Sequence, residues 1–236
     1  MNNSVEKEVV FLVADLSGYT ALTEAHGGES AANIVTRFFE IVEEALQPDT
    51  VLIERNGDEA LIVSESVENL VRVAIDLQKA IEREPLFPSV HIGIHAGRTF
   101  YKDGLYFGTA LNLASRVAAH ARGGQILCTA HIAELTGQLK GVEYRNQELV
   151  HFKNITDPVT VFEIVPESKE KDINVIDPVC RMQLNKDTAP ARIPYGGKTL
   201  YFCSFDCAKT FIDRPDRYGD VMHRNDNTKE ITHSKK

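Results

Sequence analysis

The sequence predicts an α+β fold in two parts: a mixed sheet with packed helices, then a small cysteine-containing α+β domain. Three observations carry this expectation. Runs of strand character alternate with helical periodicities and tight-turn signals up to residue 166. Charge then changes sign: residues 1–166 hold 13 Lys and Arg against 23 Asp and Glu, and residues 167–236 hold 13 against 11. Three of the four cysteines (Cys180, Cys203 and Cys207) fall in the second part.

The elements follow in order. Val9–Ala14 is a continuous apolar, largely β-branched run, as a central strand buried on both faces requires, and it stops at Asp15. Leu16–Thr20 turns into a helix. After Gly27-Gly28, a second helix carries Ile34, Phe38, Ile41, Val42 and Ala45 at helical spacing and ends before Pro48. Thr50–Arg55 and Ala60–Ser64 form a hairpin around Asn56-Gly57-Asp58. Leu70, Val73, Leu77, Ala80 and Ile81 mark a third helix, and Val90–His95 a strand followed by a turn at Asp103-Gly104. Thr109–Ala121 is an Ala-rich helix stopped by Gly123-Gly124. Gln125–Thr129, a short helix, Val142–Val150 and Val159–Val165 complete the first part. The polar stretch 167–174 reads as a linker, 175–220 as the small domain and 221–236 as a disordered tail nearly devoid of apolar residues.

Composition narrows the function. With 43% hydrophobic and 25% charged residues among 236, the chain is neither fibrous nor wholly disordered. No stretch approaches the ~20 apolar residues of a membrane span, and the first apolar run lacks the flanks of a secretory signal. The expectation is a cytoplasmic protein without a membrane partner. The acidic first part lacks the basic footprint that a nucleic-acid partner needs. Clustered cysteines in a reducing compartment point to metal or redox chemistry rather than disulfides.

Asp15 ends the first strand and Asp58 sits in the first hairpin turn, so the two carboxylates can share one space. Such a pair repels unless a cation joins it, and oxygen ligands suit Mg²⁺ or Mn²⁺. Asn112 and Arg116, four apart, lie on one helical face, where a forked guanidinium suits a phosphoryl transition state. His91 and His95 share a strand face and read as hydrogen-bonded histidines. Cys128 reads as a small buried residue.

Together these pieces resemble the class III nucleotidyl (adenylate/guanylate) cyclase catalytic domain. The matching stretches are Phe11–Thr20, Asn56-Gly57-Asp58, Val90–Arg98, Gly108–Arg116 and the closing Phe152–Val159. The resemblance implies a ferredoxin-like mixed sheet and a head-to-tail homodimer with two composite sites. It implies that Asp15 and Asp58 hold two Mg²⁺ or Mn²⁺ ions per site and that Asn112 and Arg116 come from the other subunit. It also implies that the backbone of Leu16, Ser17, Gly18, Tyr19 and Thr20, together with Arg98, contacts the triphosphate. The reaction would be attack of the ribose 3′-oxygen on the α-phosphorus, releasing pyrophosphate. Two positions depart from the adenylate pattern. Glu54 stands where a Lys is usual and Leu105 where an Asp is usual. A carboxylate at 54 suits guanine N1 and N2, whereas Leu105 reads no base, so the residues leave the nucleotide open; ATP is the default because it is the family's commonest substrate, and GTP is the second.

In the small domain, Cys203 and Cys207 are one helical turn apart and Cys180 lies upstream, a thiolate set for a soft or borderline ion. Asp177–Met182, Tyr195, Tyr201–Phe211, Pro215 and Tyr218 resemble a YHS domain, a metal-associated module related to TRASH-type sensors. That resemblance implies Zn²⁺ or Cu⁺ on the cysteines, with Asp177, His223 or water as a fourth ligand, and Arg181 stands where a Gly is usual. The leading expectation is a cyclase with a metal-responsive C-terminal module. The rival is a degenerate cyclase homology domain that binds nucleotide or only dimerises beside a metal sensor.

Overall fold

The computed structural model describes residues 5–167 and 174–218. The first part runs β1 (Val5–Leu16), α1 (Tyr19–Ala45), β2 (Thr50–Asn56), β3 (Glu59–Ser64), α2 (Val67–Arg83), β4 (Phe87–Pro88), β5 (Val90–Lys102), β6 (Leu105–Phe107), α3 (Thr109–His120), β7 (Ile126–Thr129), α4 (Ala130–Thr136), β8 (Val142–Val150) and β9 (Val159–Pro166). The second adds β10 (Asn174–Ile176), β11 (Met182–Asn185), β12 (Ala191–Tyr195), β13 (Lys198–Phe202), α5 (Phe205–Asp213) and a 3-10 turn at Pro215–Tyr218. Most of the expected linker and the whole expected tail lie outside the described residues.

The main sheet has the order β2-β3-β1-β5-β7-β9-β8, with β6 hanging from the end of β5. Only β5 and β7 are parallel; the other pairs are antiparallel, giving the expected mixed sheet. β1 is buried on both faces, as its unbroken apolar run requires. Val10, Leu12, Ala14 and Leu16 join the core under α1 and α2, and Val9, Phe11 and Val13 pack against α3. By this alternation Asp15 lies on the α3 side of the sheet. α3 comes close because Gly93 has no side chain: a Cβ there would stand 2.1 Å from the Ala118 backbone nitrogen.

The two helices expected either side of Gly27-Gly28 form one helix, α1, interrupted at Gly27, whose φ of 81° and ψ of 166° are not helical. Glycine adopts that conformation without the steric penalty other residues meet. The break leaves His26 as the last residue of the first segment.

The two parts are packed together rather than strung on a linker. β11 pairs with β4 of the first part, Met182 opposite Pro88 and Gln183 opposite Phe87, completing the three-stranded sheet β10-β11-β4. The apolar core of the second part takes in Leu22 and Ala31 of α1, both fully buried, alongside Val179, Cys180, Phe202 and Phe211. Truncating one buried leucine of this kind costs about 2–5 kcal/mol, so the contact is a structural interface. The sequence does not reveal it, because Phe87-Pro88 is too short to show strand periodicity.

Candidate functional site

The first candidate site forms where β1 ends beside the β2–β3 hairpin. Gly57 takes the first central position of that turn with φ 62°, and Asn56 pairs with Glu59 across it. This places Asp58 at the tip, where its backbone carbonyl accepts the Leu16 N–H at 3.4 Å. Burial first, and then the charge of Asp15, raise the Asp58 carboxyl above its usual range. The same two causes raise Glu59, to which Glu54 and Asp58 also contribute. Asp15 and Asp58 therefore meet electrostatically, in a corner with surplus negative charge, and carboxylate oxygens are donors of the type a hard divalent ion takes.

His91, opposite Asp15 on β5, joins this corner. Its Nε2 lies 3.1 Å from Asp15 Oδ2 and its Nδ1 lies 3.1 Å from Ser17 Oγ. His95 instead pairs with Thr129 Oγ1 at 2.9 Å, and burial pushes its pKa down to about 4. Both histidines are hydrogen-bonded strand residues, as expected, and Cys128 is fully buried.

The loop Leu16–Thr20 is only partly available to a ligand. The Leu16 N–H goes to Asp58, and the Ser17 N–H goes to the Ser89 carbonyl at 2.7 Å. The expectation that all five residues offer backbone donors is thus corrected to Gly18, Tyr19 and Thr20. These open α1 from Gly18, which has φ 82° and no side-chain cap.

Asn112 and Arg116 project from α3 opposite the stripe of Ala110, Ala114, Val117 and Ala118 that seats on the sheet. Asn112 is exposed and Arg116 half-buried, and neither forms a hydrogen bond or ion pair among the described residues. No hydrogen bond or ion pair links either of them to the acidic corner among the described residues. Arg98 is not there either. It pairs across β1 with Glu8, seven residues along the strand from His91, which is roughly 23 Å at strand rise. Its exposed side chain lies 3.9 Å from Glu6. Glu54 is exposed on edge strand β2, and Leu105 on β6 is 61% exposed beside Phe100 and Phe107.

The second candidate site is built of sulfur. Cys203 Sγ lies 3.4 Å from Cys180 Sγ and 3.6 Å from Cys207 Sγ. The buried Asp177 locks this arrangement: Oδ1 accepts the N–H groups of Val179 and Cys180, and Oδ2 accepts that of Cys203 at 2.7 Å. Ser204 caps α5 by accepting the Cys207 N–H at 3.1 Å. Hydrogen bonds from Cys180 and then Cys203 lower the pKa of Cys207, while those to Cys203 and Cys207, with burial, raise Cys180. With both oxygens engaged by backbone, Asp177 orients the cysteines and is not the fourth ligand; His223 lies outside the described residues.

The residue that completes the cluster is His26, which sequence reasoning missed. Its Nε2 lies 3.5 Å from Cys203 Sγ and 3.7 Å from Cys207 Sγ, and the four candidate ligand atoms all fall within 4.8 Å of one another. A tetrahedral Zn²⁺ with ordinary bond lengths has S···S edges of about 3.8 Å and S···N edges of about 3.6 Å, so the donor set fits such an ion. Next to Cys180, Arg181 adopts φ 68°, the left-handed region, which explains why a glycine is usual there. Its side chain lies on Gly18, where an added Cβ would meet Arg181 Cγ at 2.5 Å.

Two family models match the chain, "Adenylate and Guanylate cyclase catalytic domain" over residues 1–164 and "YHS domain" over 175–220. The chain belongs to the class III nucleotidyl cyclase family. An uncharacterized protein of Mycobacterium tuberculosis (strain ATCC 25618 / H37Rv) is 31% identical over 166 residues, 70% of this chain and 43% of that protein. A pH-sensitive adenylate cyclase of M. tuberculosis (strain CDC 1551 / Oshkosh) is 27% identical over 131 residues, 56% of this chain and 33% of that one. The chain thus spans less than half the length of these curated relatives. Among solved structures, an adenylate/guanylate cyclase/hydrolase from Silicibacter pomeroyi superimposes with a TM-score of 0.62 at 26% identity, over 70% of this chain and 99% of that one. The adenylyl cyclase CyaB of P. aeruginosa gives 0.62 at 16%, over 72% and 98%. The cyclase domain therefore has the fold of cyclase catalytic domains, with a YHS domain docked on α1. No helix among the described residues is long and apolar enough to cross a membrane.

Proposed function

We propose that the chain is a nucleotidyl cyclase, converting a nucleoside triphosphate to a 3′,5′-cyclic nucleotide and pyrophosphate at composite sites of a head-to-tail homodimer. The observation that carries this reading is the division of the candidate residues. Asp15 and Asp58 share one acidic corner, while Asn112 and Arg116 stand on the outward face of α3, where a second copy could receive them. Exposed Phe100, Leu105 and Phe107 on the β5–β6 arm give that copy an apolar surface to cover. A pair of Mg²⁺ or Mn²⁺ ions, held by Asp15 and Asp58, would supply activation of the 3′-hydroxyl and neutralisation of the triphosphate.

The chain's own residues do the rest. His91 fixes the rotamer of Asp15 through the 3.1 Å contact. The amides of Gly18, Tyr19 and Thr20 face phosphate oxygens. Arg116 of the second copy balances charge on the α-phosphate while Asn112 orients the ribose. The 3′-oxygen bonds to the α-phosphorus, the bond to the β-phosphate oxygen breaks, and the hydroxyl proton passes to solvent. ATP is the first substrate to test. GTP is the second, because Glu54 can accept from guanine while Leu105 contributes no base contact. The setting we assign is the cytoplasm, with the YHS domain carrying Zn²⁺ or Cu⁺ and answering to it.

Mass spectrometry of products from all four nucleoside triphosphates with Mn²⁺ tests the reading. A single cyclic nucleotide is expected. No cyclic product from any of the four would leave the degenerate, nucleotide-binding or dimerising reading in its place.

A further inference from the structure

We infer that His26, on helix α1 of the cyclase domain, is the fourth ligand of the cysteine cluster, so that one Cys3His-bound ion of the Zn²⁺ type fastens the YHS domain to the helix that opens the candidate phosphate loop. The YHS domain alone supplies three thiols. The fourth donor comes from a different domain, 154 positions earlier in the chain than Cys180. It stands immediately before the break of α1 at Gly27, and Leu22 and Ala31, either side of that break, are buried in the YHS core. The distances from His26 Nε2 to two sulfurs, 3.5 and 3.7 Å, match the S···N edges of ligands around one tetrahedral ion, and the Cys180 sulfur falls within the same 4.8 Å cluster.

This placement gives the ion a mechanical consequence. Helix residues 19–26 run from the loop at Gly18 to the ligand at His26. At one end Arg181, the residue after ligand Cys180, rests on Gly18; at the other the ion holds His26 to Cys203 and Cys207. Both ends of that eight-residue segment are thus tied to the YHS domain when the site is filled, and one tie is lost when it is empty. The link to turnover rests on the cyclase reading above; the ligand assignment does not.

The test uses the full chain, reduced and stripped of metal, titrated with Co²⁺ and back-titrated with Zn²⁺. One equivalent should bind with the thiolate charge-transfer and intense d–d bands of a tetrahedral site, and Zn²⁺ should bleach them. His26→Ala should shift the d–d bands and weaken Co²⁺ binding by at least the 10–100-fold that loss of an outer-shell partner costs. His26→Cys should restore tight binding with stronger charge transfer, which separates loss of a ligand from misfolding. Hydrogen exchange over residues 19–26 should slow with Zn²⁺ in the unaltered chain and not in His26→Ala. An unchanged Co²⁺ affinity and spectrum in His26→Ala overturns the assignment, as does Zn²⁺-dependent protection that survives it. Neither readout depends on cyclic-nucleotide synthesis, so a chain that binds Co²⁺ in this way but cyclises nothing sustains this inference while rejecting the cyclase one.

Discussion

The acidic corner and the thiolate cluster are two candidate ion sites of this chain, and they are assembled in opposite ways. Asp15 ends β1 and Asp58 sits in the turn just before β3, so the β1–β3 ladder, which pairs Asp15 with Glu59, sets the two side by side before any ion arrives. Oxygen ligands of this kind are spaced by a sheet and tolerate open coordination, as a catalytic ion requires. The sulfur cluster gathers a strand end, a helix start and a loop of one domain, then a histidine of another. Asp177 holds the backbone of Cys180 and Cys203 and Ser204 that of Cys207, and four donors around one point are the number a closed, structural site uses. The carboxylates of the first come from one sheet region, whereas the histidine of the second stands 154 or more positions before its cysteines.

Asp58→Ala breaks the comparison most severely. Cyclic nucleotide formation should fall on the order of 10³-fold or more, while Co²⁺ binding at the cysteines stays unchanged. Product measurement and metal titration on the same preparation check both halves. Mixing inactive Asp58→Ala with inactive Arg116→Ala comes next. If the acidic corner is completed by a second copy, the mixture should regain up to about a quarter of the unaltered rate, since random pairing gives half heterodimers with one intact site each. No recovery in mixtures shown to exchange subunits would place all of these residues in one chain's site.

A third prediction probes the seam between the two regions. Gly18→Ala should destabilise the chain by about 1–3 kcal/mol, because the new Cβ overlaps Arg181 Cγ. Adding Arg181→Gly should recover part of that loss and relieve the left-handed backbone at 181, worth about 1 kcal/mol. Thermal melts of the two single variants and the double variant read the coupling. The smallest effect concerns pH. Burial holds His95 neutral with its pKa lowered to about 4, so the unfolded chain binds the extra proton first. Its contribution to stability is therefore present above about pH 6.5 and declines as pH falls toward 4. His95→Gln should flatten the fall of the melting temperature across that window.

Much of this was legible in the sequence, for identifiable reasons. β1, the Asn56-Gly57-Asp58 turn and α3 each carry their signal within a dozen residues, through an apolar run, a turn chemistry or a periodicity. The nearness of Asp15 to Asp58 followed because the hairpin whose turn carries Asp58 pairs with the strand that Asp15 ends. The strand ends were less visible: β5 runs to Lys102 rather than His95 because it continues against β1 and β6, and pairing, not propensity, sets its length. The loop at 16–20 seemed wholly available because nothing local announces that Ser89 takes the Ser17 N–H. His26 was missed for a stronger reason. A lone histidine before two glycines has no pattern of its own, and its meaning comes from cysteines far along the chain.

The two-residue strand Phe87–Pro88 bears on how this molecule can be divided. Cutting after residue 166 would strip β11 from Phe87 and uncover Leu22 and Ala31 together, leaving an unpaired edge beside a greasy helix. The seam suggested by charge and linker composition is therefore a poor place for scissors.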